Sequence, residues 1–184
     1  MGYFGCIETI LKNGLTVQIR DADPADASAL IYYLEQMTKD GEGQVLEYQE
    51  YSPTLEEELQ WIHNSRLNPN EVLLVVIYND QVIGLIEFRQ EKRQRLKHTG
   101  SLGMGVIPEW RSSGVGSLLI TSLLEWLELY TDIEIVQLAL LANNNRALSL
   151  YQKCGFVLEG CRKNYIKINI GEYVDELIMA KVLK

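Results

Sequence analysis

The chain has 184 residues, of which 47% are hydrophobic and 23% are charged. This composition excludes an intrinsically disordered protein and predicts one domain with its own hydrophobic core. The formal net charge of −8 argues against binding to a nucleic-acid backbone, because such binding needs clustered lysine and arginine. The charge mildly favours a cationic partner, although a negative balance also simply keeps a soluble protein dispersed.

The N-terminal half of the chain predicts a strand, two helices and a hairpin. Asp23-Pro24 supplies an N-cap and a first-turn proline for the first helix. Ser52 or Thr54 caps the second helix. Two β-branched runs then pair around the turn Asn79-Asp80. In chain order, the predicted elements cover residues 15–20, 24–38, 55–62, 71–78 and 81–89.

The C-terminal half predicts a strand, a long helix, a buried strand, a short helix and a closing hairpin. Gly100, Gly103 and Gly105 in the first of these strands indicate a bulge or a close backbone neighbour. Helical periodicity begins at Gly114, and Gly155 suits a left-handed cap after the short helix. In chain order, the predicted elements cover residues 98–106, 114–130, 133–140, 144–154, 156–168 and 172–182.

This order of elements predicts an α/β fold, a mixed sheet with helices on both faces. We assign residues 1–14 to an N-terminal extension and residues 15–184 to a single domain. The cysteines Cys6, Cys154 and Cys161 share no CxxC spacing, so we expect neither a disulfide framework nor a metal site. No stretch approaches the roughly 18 apolar residues of a membrane span, so we expect a cytoplasmic protein without a membrane or nucleic-acid partner.

A short glycine-containing loop joins a glycine-rich strand to an amphipathic helix. Its residues are Arg111, Ser112, Ser113, Gly114, Val115 and Gly116. A helix N-terminus offers unpaired N–H groups and a partial positive charge, and glycines let a pyrophosphate approach the backbone. The loop lacks the GxGxxG and GK[ST] patterns, which disfavours a hydride-transfer or ATP-dependent enzyme. Taken alone, it is also compatible with an ordinary strand-to-helix turn.

A second motif, NNRALSLYQKCGF, occupies residues 144–156. Together, the patterns RxxGxG and NxxAxxLYxKxGF resemble the Gcn5-related N-acetyltransferase (GNAT) family. The resemblance extends from about Val17 to Leu183, and the tail 171–179 is similar to ribosomal-protein and diamine acetyltransferases. It implies a central, mostly antiparallel seven-stranded sheet with about four helices, in which two splayed parallel strands form a coenzyme A cleft.

The resemblance implies that acetyl-coenzyme A lies between residues 102–106 and 135–140. Backbone groups of Met104 and Val106 would then bind the pantetheine and acetyl end, with an N–H polarising the thioester carbonyl. Asn144 is also implied in binding the pantetheine, and its alternative role as the N-cap of its helix suits an asparagine equally well. The remaining residues implied in cofactor binding are Arg111, Ser112, Ser113, Gly114, Val115, Gly116, Ser117, Ala147 and Tyr151.

Two residues are candidates for the chemistry. Tyr151 is expected to be the general acid, because the departing thiolate needs a proton and a phenol with a pKa of about 10 can donate one. Its alternative role is a core aromatic. Some family members carry a glutamate base where this chain has Ala139. We place Glu87 ahead of the other remaining candidates, which are His98, Glu47 and Glu50, because a buried carboxylate on a central strand is hard to explain structurally. A chain of water molecules to a distant carboxylate is the alternative.

The acidic segment 40–50 falls where family members place a substrate loop. Glu42, Glu47, Tyr48 and Glu50 are therefore candidates for binding a cationic acceptor, and a solvated loop is the alternative. The expected acceptor is the primary amine of a polyamine, amino acid, antibiotic or protein N-terminus, which attacks acetyl-CoA directly. A non-catalytic acyl-CoA-binding module is the competing hypothesis, and exposed strand edges are compatible with a homodimer.

Overall fold

The computed structural model describes residues 3–43, 45, 50 and 52–184. Within these residues, the strands are β1 (Cys6–Ile10), β2 (Thr16–Asp21), β3 (Val72–Tyr78), β4 (Gln81–Gln90), β5 (Thr99–Val106), β6 (Ile135–Leu141), β7 (Val157–Asn169) and β8 (Glu172–Val182). The helices are α1 (Ala27–Asp40), α2 (Leu55–Ser65), α3 (Val115–Tyr130) and α4 (Asn145–Lys153). In the described part of the chain, no helix combines the length and the apolar character needed to cross a membrane.

All eight strands belong to one sheet, in the order β1-β2-β3-β4-β5-β6-β8-β7. The β5–β6 pair is parallel and the other neighbours are antiparallel, which confirms the predicted mixed, mostly antiparallel sheet. The sheet has one strand more than the seven expected. The additional strand is β1, which pairs with β2 from Cys6 opposite Arg20 to Ile10 opposite Thr16.

The helix boundaries follow from local capping. Asp23 is the N-cap of the turn that leads into α1, and its side chain accepts a hydrogen bond from the Ala25 N–H at 3.0 Å. At α2, the cap is Thr54 rather than Ser52. The Thr54 hydroxyl accepts from the Glu57 N–H at 3.2 Å, and the Glu57 carboxylate accepts from the Thr54 N–H at 2.7 Å. Such reciprocal bonds satisfy N–H groups that a helix leaves unpaired.

Helices α1 and α3 lie on opposite faces of the sheet. A Cβ on Gly84 of β4 would lie 2.7 Å from Val115 of α3. A Cβ on Gly105 of β5 would lie 2.5 Å from the Tyr33 hydroxyl of α1. Gly105 pairs with Leu85, the neighbour of Gly84, and successive strand residues point to opposite faces. Gly105 therefore admits a close neighbour, but that neighbour is a side chain rather than the predicted backbone segment, and the β4–β5 register contains no bulge.

A gap opens in the middle of the sheet between β5 and β6. The two strands pair only from Thr99 to Ser101, opposite Ile135 to Gln137. Beyond that point β5 continues beside β4, and β6 continues beside β8. The predicted splay of two parallel strands is confirmed, and it leaves the end of β5 with one edge unpaired.

Candidate active site

The gap between β5 and β6 widens into a cleft of about 890 Å³. Helix α1 contributes Tyr33 and Met37 to its lining, and α4 contributes Asn144 and Tyr151. The cleft also meets the first turn of α3 at Gly116. Its walls therefore come from both sides of the splayed strands, so a long ligand can lie between them.

The predicted cofactor-binding residues fall into two groups. Those that line the cleft are Met104, Val106, Arg111, Ser112, Gly114, Gly116, Ser117, Asn144, Ala147 and Tyr151. The side chains of Ser113 and Val115 are engaged elsewhere. The Ser113 hydroxyl donates to the Trp110 carbonyl oxygen at 2.6 Å, and Val115 is fully buried in the core.

The loop before α3 has the conformation of an anion cradle. Gly114 is the N-cap residue with φ 105°, a left-handed conformation that strains any residue with a side chain. Among the described residues, no side chain caps α3, so its first N–H groups have no partner of that kind there. A Cβ on Gly116 would lie 2.9 Å from Leu150 of α4, so glycine is required where the two motifs meet. This geometry fits a pyrophosphate at the helix N-terminus.

Arg111 is held by acidic residues at the end of α1. Its guanidinium donates to the Asp40 carboxylate and, at 2.9 Å, to the Glu42 carboxylate. The Arg111 Nε also donates to the Val106 carbonyl oxygen at 3.3 Å. Arg146 of α4 forms a second ion pair with Glu42 at 3.1 Å. Arg111 therefore fixes the end of β5 against α1, and Glu42 links the two arginines.

Asn144 fills the capping role and also lines the cleft. Its side-chain oxygen accepts from the Ala147 N–H at 3.1 Å, so the N-cap expected as an alternative is present. Its amide nitrogen would lie 2.3 Å from a Cβ on Gly43. The segment after α1 therefore crosses directly over the start of α4.

Tyr151 is a buried phenol at the wall of the cleft. Its ring packs edge-on against Phe156 with the centroids 5.7 Å apart, as a core aromatic would. Burial raises the pKa of Tyr151 to about 12. The hydroxyl therefore stays protonated at neutral pH, which is the state that a hydrogen-bond donor needs.

Glu87 lies on β4, opposite Gly103 of β5. Its carboxylate accepts from the Trp61 indole N–H at 3.3 Å and forms an ion pair with Arg89 at 2.8 Å. The side chain is 25% exposed and lines the cleft, so it is both held in place and accessible. A carboxylate, a guanidinium and an indole thus meet at one end of the cleft.

Three further residues of the cleft were missed by the sequence analysis. Tyr33 is buried on α1, and burial raises its pKa. Glu176 on β8 accepts a hydrogen bond from Arg162 at 2.6 Å and lines the cleft on the β6–β8 side of the gap. Lys12 lines the cleft from the turn between β1 and β2. Gly105 was the one sequence signal for Tyr33, because a glycine inside a strand marks a close neighbour.

The expected substrate loop is described only in part. Glu47 and Tyr48 lie outside the described residues. Glu50 is described and exposed. For the described residues, no group of histidine, cysteine, aspartate and glutamate side chains is arranged to hold a metal ion.

Comparison with known proteins identifies the family. The model of the acetyltransferase (GNAT) family matches residues 29–156. The chain belongs to this family. It is 30% identical over 122 residues to the L-amino acid N-acetyltransferase AaaT of Escherichia coli K12, a match that covers 66% of this chain and 75% of that protein. The family and the predicted enzyme class, an acetyl-CoA-dependent N-acetyltransferase, are thereby confirmed.

Solved structures share the GNAT fold over most of the chain. An acetyltransferase from Streptococcus pneumoniae superimposes with a TM-score of 0.86 and 27% identity, covering 91% of this chain and 99% of that one. A ribosomal-protein-alanine N-acetyltransferase from Brucella melitensis gives a TM-score of 0.76 and 25% identity, covering 90% and 99% of the two chains. Other structures of this fold hold acetyl-CoA or coenzyme A.

Proposed function

We propose that the protein acetylates the α-amino group of an amino acid, with acetyl-CoA as the acetyl donor. The observation that carries this proposal is that one cleft joins an uncapped helix N-terminus, an unpaired strand edge and the Glu87–Arg89 pair. The first two features fit the cofactor, and the third fits a zwitterionic acceptor. The relative from Escherichia coli, named for L-amino acids, supports this class of acceptor.

The cofactor end of the cleft is built mainly from backbone groups. The N–H groups at the start of α3, at Gly116 and Ser117, bind the pyrophosphate. Backbone groups of Met104 and Val106, on the free edge of β5, align the pantetheine, and one N–H polarises the thioester carbonyl. Bound acetyl-CoA supplies the acetyl group as a thioester.

The acceptor end is built from side chains. Glu87 binds the ammonium group of the amino acid, and Arg89 binds its carboxylate. These two side chains pair with each other at 2.8 Å, so the acceptor replaces one charge pair with two. A polyamine would leave Arg89 without an anionic partner, which disfavours that class of acceptor. Trp61 forms the adjoining apolar wall.

The proton transfers follow from these positions. The α-amino group of an amino acid is mostly protonated at pH 7, so it must lose a proton before its nitrogen can attack the thioester. Glu87 accepts the proton that the ammonium loses, directly or through a water molecule. The neutral amine nitrogen then attacks the thioester carbonyl carbon, and the C–S bond breaks as Tyr151, which burial keeps protonated with a pKa of about 12, donates its proton to the departing sulfur. The tyrosinate recovers a proton from the new amide nitrogen, so Glu87 holds the one proton that the reaction releases.

Thiol release from acetyl-CoA, measured against a panel of amines, tests the proposal. The panel contains L-amino acids, their carboxamides, spermidine and short peptides. We expect kcat/KM to be about tenfold higher for an amino acid than for its carboxamide, the size of one charge-assisted contact. The variant Arg89→Gln should remove this preference. A preference for spermidine, or equal rates with acid and amide, would contradict the proposed acceptor.

Other predictions concern the assembly and its surroundings. We propose a homodimer, supported by the edge strand β7 and the turn after it, which expose Val157, Tyr165 and Ile170. A cytoplasmic location and the lack of a nucleic-acid partner remain predictions. The division into an extension of residues 1–14 and a domain of residues 15–184 also remains a prediction.

A further inference from the structure

The turn between β1 and β2 is anchored to the body of the protein. Leu11 is buried in the core with 7% of its surface exposed. Two backbone bonds close the turn, from the Leu11 N–H to the Leu15 oxygen and from the Gly14 N–H to the Leu11 oxygen, each at 2.9 Å. Gly14 takes the left-handed φ of 82° that completes the turn. The backbone at Lys12 is therefore held in place.

Lys12 stands beside the loop that precedes α3. A Cβ on Gly114 would lie 3.9 Å from Lys12 Cγ, and both residues line the cleft. Gly114 is the N-cap of α3, where N–H groups point outward and the helix dipole favours negative charge. The side chain of Lys12 thus passes close to the position where an anion would bind, within reach of its ammonium group.

Two arginines that line the cleft near this loop are already engaged. Arg111 is paired with Asp40 and Glu42, and Arg146 is paired with Glu42. Lys12 forms no hydrogen bond or ion pair with any residue that the structure describes. Lys12 can therefore receive a phosphate without first breaking an ion pair.

We propose that Lys12, from the hairpin that precedes both motifs in sequence, binds a phosphate group of coenzyme A. The inference rests on the proposed use of acetyl-CoA, and it adds a cofactor-binding residue that lies outside both motifs. The lysine ammonium is a compact, strongly hydrated charge on a flexible stem, so it suits a phosphate at the mouth of a cleft. Lys12 is a binding residue and takes no part in the proton transfers.

Calorimetric titration of three ligands tests this role. The ligands are coenzyme A, dephospho-coenzyme A, which lacks the 3′-phosphate, and pantetheine, which lacks all phosphates. The proteins are the wild type, Lys12→Gln, Lys12→Arg and the control Lys92→Gln, whose lysine lies in the charged turn after β4. We expect Lys12→Gln to weaken coenzyme A binding roughly three- to tenfold, as for a partly exposed charge pair, and added salt to reduce the difference.

Each outcome decides for or against the role of Lys12. Wild-type affinity in Lys12→Arg and in Lys92→Gln would support it. Loss with dephospho-coenzyme A as well would place Lys12 at the pyrophosphate, and loss confined to coenzyme A would place it at the 3′-phosphate. Equal coenzyme A affinity in wild type and Lys12→Gln, or an equal loss with pantetheine, would overturn the inference. A wild-type protein that binds no coenzyme A would overturn both this inference and the proposed function.

Discussion

The two ends of the cleft are constructed differently. At the end proposed to bind the cofactor, the cleft meets the start of α3 and the free edge of β5, which offer backbone groups. At the acceptor end, side chains from α2 and β4 converge, namely Trp61, Glu87 and Arg89. A backbone-built end is specified by glycine spacing and strand geometry, whereas a side-chain-built end can change its specificity by substitution. This difference predicts that substitutions at the two ends have separable effects on cofactor affinity and amine turnover.

The largest effect is expected at Tyr151, where the two ends meet. Tyr151→Phe keeps the ring that packs against Phe156 but removes the donor to the departing sulfur, so kcat should fall about 100-fold. The dissociation constant of coenzyme A should change little. Thiol-release kinetics and calorimetry measure the two quantities, and Tyr165→Phe on exposed β7 is the control. An unchanged kcat would leave Tyr151 as a core aromatic only.

The pH dependence of kcat should not reflect the titration of Tyr151. Because burial holds the pKa of Tyr151 at about 12, above its usual value near 10, this phenol stays protonated through the alkaline range of most assays. A fall in kcat between pH 8 and about 10 should therefore have the same midpoint in wild type and Tyr151→Phe. A limb of the profile that disappears in the variant would contradict the raised pKa.

A stability effect is expected where the backbone-built end requires close packing. The new methyl group of Gly105→Ala would meet the Tyr33 hydroxyl at 2.5 Å and Met37 at 2.9 Å, so the free energy of unfolding should drop by about 2 kcal/mol. Gly160→Ala on β7 is the matched control, because no atom lies within 4 Å of its new Cβ. Denaturant unfolding compares the two variants. Equal stabilities would mean that α1 shifts freely over β5.

A smaller effect, confined to the amine, is expected at the side-chain-built end. Glu87→Gln removes the charge that binds the ammonium group, so kcat/KM for the amino acid should fall roughly tenfold while coenzyme A affinity is preserved. Steady-state kinetics with varied acceptor measure this loss. Glu91→Gln, in the exposed turn after β4, serves as the control. Weaker coenzyme A binding in Glu87→Gln would show that the two ends are not separable.

The smallest effect is expected at Glu42, which links Arg111 and Arg146. Glu42→Gln removes a negative charge near the phosphates and releases Arg146, while Arg111 keeps its pair with Asp40, so coenzyme A should bind about threefold more tightly at low salt. The side chain is 55% exposed, which limits the gain. Calorimetry at two salt concentrations checks the result. Weaker binding in this variant would mean that Glu42 positions the arginines for the cofactor.

The same contrast explains how much of the molecule could be predicted from the sequence. The strands, the four helices and the splay follow from periodicity, turn residues and the family resemblance, and the cofactor loop follows from its glycines. Strand β1 was missed because it lies at the sheet edge with four of its five residues exposed, so its sequence carries no alternation of buried and exposed positions. Its turn nevertheless brings Lys12 to the cofactor loop.

The acceptor end could be predicted only in part. Glu87 was identified as an acidic residue on a central strand, but its partners depend on tertiary packing. Trp61, whose indole N–H donates to Glu87, lies 26 residues away in sequence on α2. No local pattern encodes such a meeting of side chains, because it depends on how the sheet brings distant strands together.

The most direct test of the central claim is product analysis by mass spectrometry after incubation with acetyl-CoA and an L-amino acid. We predict one acetyl group on the α-nitrogen of the amino acid, formed by wild type and nearly lost in Tyr151→Phe. Calorimetry on the same samples establishes that coenzyme A is bound. Bound cofactor without an acetylated product, for every amine in the panel, would contradict the account and indicate a non-catalytic acyl-CoA-binding protein with this fold.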